Sequence, residues 1–548
     1  MFLLLALCYQ PVAPEGAKNR ARGFLGWRLW GVFPVPWPEG HGLNATGRYA
    51  ATEPDPAPTE PINSACALRK YGVKIAQIQE ASLVRTKNLP QISNIHKSSV
   101  QALSIAFLLA LLTIVEHTNA RAQPAFDKAE FAARRAKVFE KIGDGIAIVL
   151  ANAEHPYAVR YREAPDFFYL TGIEEPGAVL ILLGKQKQAI VVAAKKPEWK
   201  VSAEGPGIRD MPDAAKIYGI TRVSPMENLY GSLNFQSNGV KKLYVPLTPP
   251  DQLEYARSEV IGLDAEEMKL PFARMSRVKN FVAGLHTWQP QLELVDINPI
   301  LDDLRWVKTP YEIERMRMAG KIGAEGVKEA IKGTRPGMYE YEIEAAARFV
   351  YTKRGARGDA FMPIVASGPN TIVFHYNKNN RKMASGEVVY MDYGADYDYY
   401  VSDITRTWPV GDKFTPEQEK MYRCILEARA AIIAAVKPGA VVADLQNAAE
   451  LVYKKHGFGK DFVDSGRYVG HFVGISVHDV GEDDRPFVPG VIFNVEPLIS
   501  NESTKTHLRL EDTILVTATG AVNLTADVPA EINEIYALMK MNPIGVAK

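Results

Sequence analysis

The chain has 548 residues, 47% of them hydrophobic and 23% charged, the composition of a soluble globular protein long enough for two or three domains. A formal net charge of +1 gives no electrostatic reason to expect nucleic acid or an anionic membrane surface as partner. Three scattered cysteines, Cys8, Cys66 and Cys424, exclude a disulfide framework and a thiolate metal site.

In chain order, Met1–Ile95 is rich in Pro, Gly, Arg and Trp, lacks hydrophobic periodicity and offers no core-forming pattern. Ala102–Val115 (ALSIAFLLALLTIV) is an uncharged apolar run preceded by Lys97 and followed by the small-x-small pattern Ala120-Arg121-Ala122. It reads as a secretory signal peptide, too short for a comfortable membrane span. Residues 1–95 are therefore expected to be an unstructured extension or to precede the true translation start. Residues 96–122 are the signal, and the mature chain is expected to be exported, periplasmic or secreted, after cleavage near Ala122.

Residues 123–304 open with an amphipathic helix, FDKAEFAARRAKVFEKIG, apolar at Phe131, Val138, Phe139 and Ile142. The runs GIAIVLAN, AVLILL, QAIVVAA and KKLYVPL follow, interspersed with helical segments, and predict an α/β domain that holds no catalytic constellation. A boundary falls near Arg305–Thr309, where Thr309-Pro310-Tyr311-Glu312 is a capping box with proline at the first helical position. Within residues 305–548, TRPGMYEYEIEAAARFVYTKRG is echoed by VKPGAVVADLQNAAELVYKKHG; Pro336 and Pro438, like Gly355 and Gly457, lie 102 residues apart. Each copy predicts helix, Pro-Gly turn, helix, then an acidic strand hairpin. The fold class is accordingly α+β, with a duplicated ααββ unit whose halves face each other.

The chemistry-bearing residues sit on those hairpins. Asp392 and Asp403 flank the Asp396–Tyr399 turn in VVYMDYGADYDYYVSDITRTWPV; Glu496 follows the apolar run Val491–Val495, and Glu511 interrupts Leu508–Val516. An aspartate at a strand end is ordinarily a cap and a strand glutamate ordinarily edge-exposed. A carboxylate inside an apolar strand is costly to bury unless paired or bound to a metal, and four of them with His471 form a ligand count for two divalent ions. His478, seven residues after His471, and His375, in TIVFHYN, are further candidates. A His-x-x-x-His pair, a phosphate loop, a Cys-x-x-Cys pair and a Gly-x-Ser-x-Gly elbow are absent from this half, so the nucleophile is expected to be water. The oxygen-rich set favours Mn²⁺, with Zn²⁺, Co²⁺ and Fe²⁺ as alternatives.

MDYGADYDYYVSDITRT, GHFVGISVHDVG, NVEP and LRLED closely resemble the Xaa-Pro aminopeptidase and prolidase branch of the pita-bread metallopeptidases, and DFFYLTGIEEPGAVLIL is similar to that branch's creatinase/prolidase-type N-terminal domain. The resemblance implies that Asp403 and Glu511 bridge two metals, that Asp392 completes one shell, and that His471 and Glu496 complete the other. It makes Glu496 the proton shuttle for a bridging hydroxide, places His375 and His478 on the substrate and the tetrahedral intermediate, and makes Arg509 an orienting residue. The implied activity is hydrolysis of an N-terminal Xaa-Pro bond in a peptide substrate by a homo-oligomer. The alternatives are an Xaa-Pro dipeptidase or a catalytically silent peptide-binding protein. Two departures touch the expected substrate pocket: Arg467 stands where the branch places histidine, and Leu498 and Ser500 stand where it places glycine and an aromatic. Arg467 is expected either to meet a substrate carboxylate or to pair with Asp461 or Asp464.

Overall fold

The computed structural model describes residues 127–155 and 159–544. The proposed extension and signal segment lie outside them. Among the described residues no helix is long and apolar enough to cross a membrane.

The first helix, Lys128–Ile142, begins at Asp127, whose side chain accepts from the Ala129 amide. Six strands follow: β1 (Ile146–Leu150), β2 (Val179–Leu183), β3 (Gln188–Ala193), β4 (Arg222–Pro225), β5 (Lys242–Val245) and β6 (Glu293–Asp296). They form one sheet in the order β4-β3-β2-β1-β5-β6, antiparallel among β1–β3 and parallel at both flanks. The sequence reading found four of these strands. The outer two, β4 and β6, escaped it because they are short and partly exposed. Alternate residues of β2 serve different cores. Leu180 and Leu182 pack with Phe131 and Phe167, and Val179 and Ile181 with Leu233 and Leu285. Burial on both faces explains why the central strands read as unbroken apolar runs.

The first core continues into the second half of the chain through Tyr399, Tyr400, Val473 and Ile475. Beneath it lies a buried charge network. Arg305 reaches Asp166 at 2.8 Å, Asp251 at 2.6 Å and Asp479 at 2.5 Å, and Lys308 meets Asp479 at 3.0 Å. Burial alone would raise the Asp251 pKa, but Arg305, with Arg257 and the Ser476 hydroxyl, outweighs it and holds the carboxyl at about 2.

The duplicated unit is present as two helix pairs, Pro310–Gly333 with Glu340–Lys353 and Pro416–Ala435 with Val442–Lys455. Thr309 and Thr415 cap the first helix of each pair through matching capping boxes. The later strands are β7 (Gly358–Asp359), β8 (Ile364–Ser367), β9 (Val388–Asp392), β10 (Ala395–Tyr397), β11 (Tyr400–Val401) and β12 (Thr405–Pro409) in the first repeat, and β13 (Gly470–Phe472), β14 (Ile492–Val495), β15 (Leu498–Asn501), β16 (Thr506–Arg509), β17 (Asp512–Val516) and β18 (Ala521–Asn523) in the second. The first hairpin pairs β9 with β12, Asp392 opposite Thr405. The second pairs β14 with β17 and, beyond a bend, β15 with β16. The hairpins are laced together where they meet. The Glu511 amide donates to the Thr405 carbonyl at 3.0 Å, and the Asp403 amide to Thr513 Oγ1 at 3.1 Å.

Arg305→Met is expected to lower the unfolding free energy by about 3–5 kcal/mol, because three aspartates would stay buried without their shared cation. Denaturant titration beside the parent checks this, and a loss under about 1 kcal/mol would remove the network from the supports of the fold.

Candidate metal centre

Strand ends deliver the acidic side chains. Asp392 is the last residue of β9, and Asp403 precedes β12. Glu496 occupies the bend between β14 and β15, and Glu511 the bend between β16 and β17, so the run expected to be one strand is two. At these bends the backbone leaves the regular ladder and the side chains turn into the gap between hairpins. His471 lies on β13, opposite Asn494. The preceding Gly470 has φ +132, and a Cβ there would collide with the Asn494 carbonyl, so only glycine lets β13 approach this closely.

The structure brings all five expected ligand residues together. His471 Nε2 lies 3.4 Å from Asp403 Oδ2 and 3.6 Å from Glu511 Oε1. Its Nδ1 is 3.1 Å from the Phe472 carbonyl, which places the ring proton there and leaves Nε2 free to ligate. Arg509 joins the remaining two carboxylates, with Nη2 2.8 Å from Asp392 Oδ2 and Nη1 2.9 Å from Glu496 Oε1. Its guanidinium stacks over Phe374 and Tyr390 at 4.6 and 5.0 Å.

The four carboxylates are at most 5% exposed, which makes their charge the central problem of the site. Burial first, then the neighbouring acids, raises Asp403 and Glu511 well above the usual carboxylate range. Glu496 goes the other way, because Arg509 and His471 outweigh its burial. Burial disfavours the His471 imidazolium, yet Glu511 and Glu496 raise its pKa overall. Asp392 Oδ1 and Asp403 Oδ1 are buried and accept no hydrogen bond among the described residues. Orphaned carboxylate oxygens in a cluster short of positive charge, beside a free imidazole nitrogen, fit divalent cations. Asp403, His471 and Glu511 offer ligand atoms within 4.8 Å of one another.

The other expected residues fall at the rim. His375 is solvent-exposed but near enough to Arg509, Asp392, Glu496 and His478 to feel their charge; partial desolvation, then Arg509, lowers its pKa. His478 stacks obliquely against His471, ring centroids 4.2 Å apart. Arg467 pairs with neither Asp461 nor Asp464. Its φ of 58°, just beyond Gly466, turns it onto the helix Val442–Lys455, where it meets Glu450 at 2.9 Å and Asn447 at 2.8 Å. At the other departure, Ser500 Oγ lies 2.8 Å from Nδ1 of buried His507, whose pKa burial and Arg509 depress to about 3.

Sequence reasoning missed four supports. Thr405 donates to Glu511 Oε2 at 2.6 Å, Asn494 to Glu511 Oε1 at 2.5 Å, and the Tyr468 hydroxyl to Glu496 Oε2 at 2.7 Å. All three lie within a few residues of a ligand, so a search for polar groups flanking the motifs would have flagged them. The fourth, Glu259 beside His478, is 219 residues away in the N-terminal half and left no local signal.

Buried carboxylates converging with an imidazole on a duplicated scaffold define a hydrolytic metalloenzyme. Residues 314–518 match Metallopeptidase family M24, and residues 131–244 match the Aminopeptidase P, N-terminal domain. The Xaa-Pro aminopeptidase of Escherichia coli (strain K12) is 31% identical over 448 residues, which are 75% of this chain and 97% of that protein. The solved aminopeptidase PepP of Pseudomonas aeruginosa superposes with a TM-score of 0.64 at 28% identity, covering 76% of this chain and 98% of the other. Escherichia coli aminopeptidase P with the inhibitor Pro-Leu gives 0.64 at 27% identity, covering 76% and 99%. The chain belongs to metallopeptidase family M24, on its Xaa-Pro aminopeptidase branch, and is a metal-dependent aminopeptidase.

Ion retention is expected to fail in mild acid. Asp403 and Glu511, with raised pKa values, take up protons at a higher pH than isolated carboxylates and then cannot ligate. Elemental analysis after dialysis at neutral and mildly acidic pH checks this; equal metal content at both would contradict the assignment.

Proposed function

We propose that the chain hydrolyses the peptide bond between an N-terminal residue and a following proline, using two divalent ions held by Asp392, Asp403, His471, Glu496 and Glu511. The observation that carries this reading is the convergence of four buried carboxylates and a free imidazole nitrogen in a chain that spans 97% of the Escherichia coli Xaa-Pro aminopeptidase. Mn²⁺ suits so oxygen-rich a set. When bound, the ions lower the pKa of a shared water toward neutrality and so supply the nucleophile.

The protein's own groups do the remaining work. Asp403 and Glu511 would hold the ions, and the hydrogen bonds from Thr405 and Asn494 fix the Glu511 carboxylate in one orientation. Asp392 and His471 would supply further ligands to them. Glu496, held at Oε1 by Arg509 and at Oε2 by Tyr468, carries the proton from the attacking water to the departing nitrogen. His375 and His478 donate to the substrate and to the oxygen that gains charge in the transition state. Arg467, engaged by Glu450 and Asn447, is not part of this machinery.

Asp403→Ala and Glu511→Ala are each expected to abolish turnover and reduce bound metal below two ions per chain, read by elemental analysis. Near-normal, chelator-resistant turnover in either variant would remove the bridging assignment. With Mn²⁺ added, an Xaa-Pro-Xaa tripeptide is expected to be cleaved and a proline-free tripeptide spared; an Xaa-Pro dipeptide in the same panel separates aminopeptidase from dipeptidase. His478→Ala is expected to lower turnover on the order of 10²–10³-fold with metal content retained. Loss of an ion in that variant would instead make His478 a ligand.

A further inference from the structure

The N-terminal half meets the loop at the edge of the metal centre. Its segment around Asp251–Glu259 lies along the loop that carries His478. The Val477 amide donates to the Leu253 carbonyl at 2.8 Å, and Ser476 Oγ to Asp251 Oδ2 at 2.5 Å. Asp479 is held by Arg305. The residues on either side of His478 are thus pinned, Ser476 and Val477 directly by the N-terminal half and Asp479 by Arg305, which also binds Asp166 and Asp251 of that half. At the centre of this contact, Glu259 meets His478 Nδ1 with both oxygens, at 2.9 and 3.0 Å.

We propose that Glu259 is a positioning residue for the peptidase reaction, holding the His478 ring so that only its Nε2 is available to the substrate. A carboxylate accepts and cannot donate, so the nitrogen that faces it carries the hydrogen. That fixes which edge of the imidazole is engaged. Nε2 makes no hydrogen bond among the described residues and is the ring's remaining polar atom. Glu259 is itself restrained. It is the third residue of the helix Arg257–Glu267, and its Oε2 accepts from the Ala256 amide at 2.7 Å, reaching back to the residue that opens the helix. The helix start therefore aims the carboxylate, and the carboxylate aims the histidine. A carboxylate behind an active-site imidazole acts through orientation, and removing such a partner typically costs about 10–100-fold in activity.

A competing role is the bond to the Ala256 amide alone, in which Glu259 merely stabilises the start of its helix. This proposal also rests on the reading that His478 acts on the substrate, and the experiment separates the two. Glu259→Ala, Glu259→Gln, His478→Ala and the Glu259→Ala/His478→Ala double variant are assayed on an Xaa-Pro-Xaa tripeptide with Mn²⁺, with kcat, KM and metal content recorded for each. Glu259→Ala is expected to lower kcat about 10–100-fold, with KM within about twofold and metal retained. Glu259→Gln, which can still cap the helix and accept from one imidazole N–H, is expected to recover part of the loss. In the double variant kcat is expected to match His478→Ala alone, because a positioning residue has nothing left to position. Losses that multiply in the double variant, an unchanged kcat in Glu259→Ala, or loss of metal from it would each overturn the proposal. Full activity in His478→Ala would instead overturn the reading of the site on which it rests.

Discussion

Four carboxylates buried side by side repel one another, and every notable feature of the catalytic half answers that repulsion. At ~4 Å in a medium of effective dielectric constant about 20, two unit charges interact by roughly 4 kcal/mol. Asp403 and Glu511 offer oxygens within 4.8 Å of each other. Arg509 offsets part of the cost by joining Asp392 to Glu496, and Thr405, Asn494 and Tyr468 satisfy individual oxygens. Asp403 and Glu511 remain under-compensated, and their raised pKa values express that deficit. Divalent cations remove it. That deficit is present in the fold before any ion arrives and favours cation binding.

Storing it requires a rigid frame, and duplication supplies one. Each half contributes a helix pair and a hairpin, and the acidic residues lie where the two hairpins meet. The seam is fastened by backbone and threonine hydrogen bonds and by a second, fully compensated charge group. Arg406 is completely buried, donating to the Glu511 carbonyl at 2.7 Å and pairing with Asp512 at 2.8 Å. Asp512 also pairs with Arg429, and the two cations pull its pKa far below the ordinary value against the effect of burial. Adjacent residues thus have opposite fates: Glu511 is left short of positive charge and Asp512 is saturated with it. Position relative to the two arginines decides which carboxylate can receive a metal and which only braces the frame.

The N-terminal half takes part in the same economy of charge. Arg305 gathers Asp166 and Asp251 with Asp479, which follows His478 directly. One of the contacts that unite the two halves of the chain also fixes the loop at the edge of the metal centre. Packing and catalysis share residues there, which is a physical reason for the catalytic fold to keep a companion domain attached.

The sequence by itself determined the repeat, the two acidic hairpins and the five side chains that gather between them. These follow from local rules: periodicity marks the helices, and a carboxylate inside an apolar strand announces a burial that something must compensate. Asp392, Asp403, Glu496 and Glu511 were legible for that reason, and the capping box at Thr309 for a similar one. The short flanking strands β4 and β6 were not, because partial exposure removes the apolar run that marks a strand. Tertiary structure alone decided the rest. It bent the run through Glu511 into two strands, turned Arg467 onto Glu450 instead of either nearby aspartate, and set Glu259 against His478 across 219 residues. Hydrogen-bond partners distant in the chain leave no trace in local pattern, since their meeting is fixed by how whole elements pack and not by the residues between them.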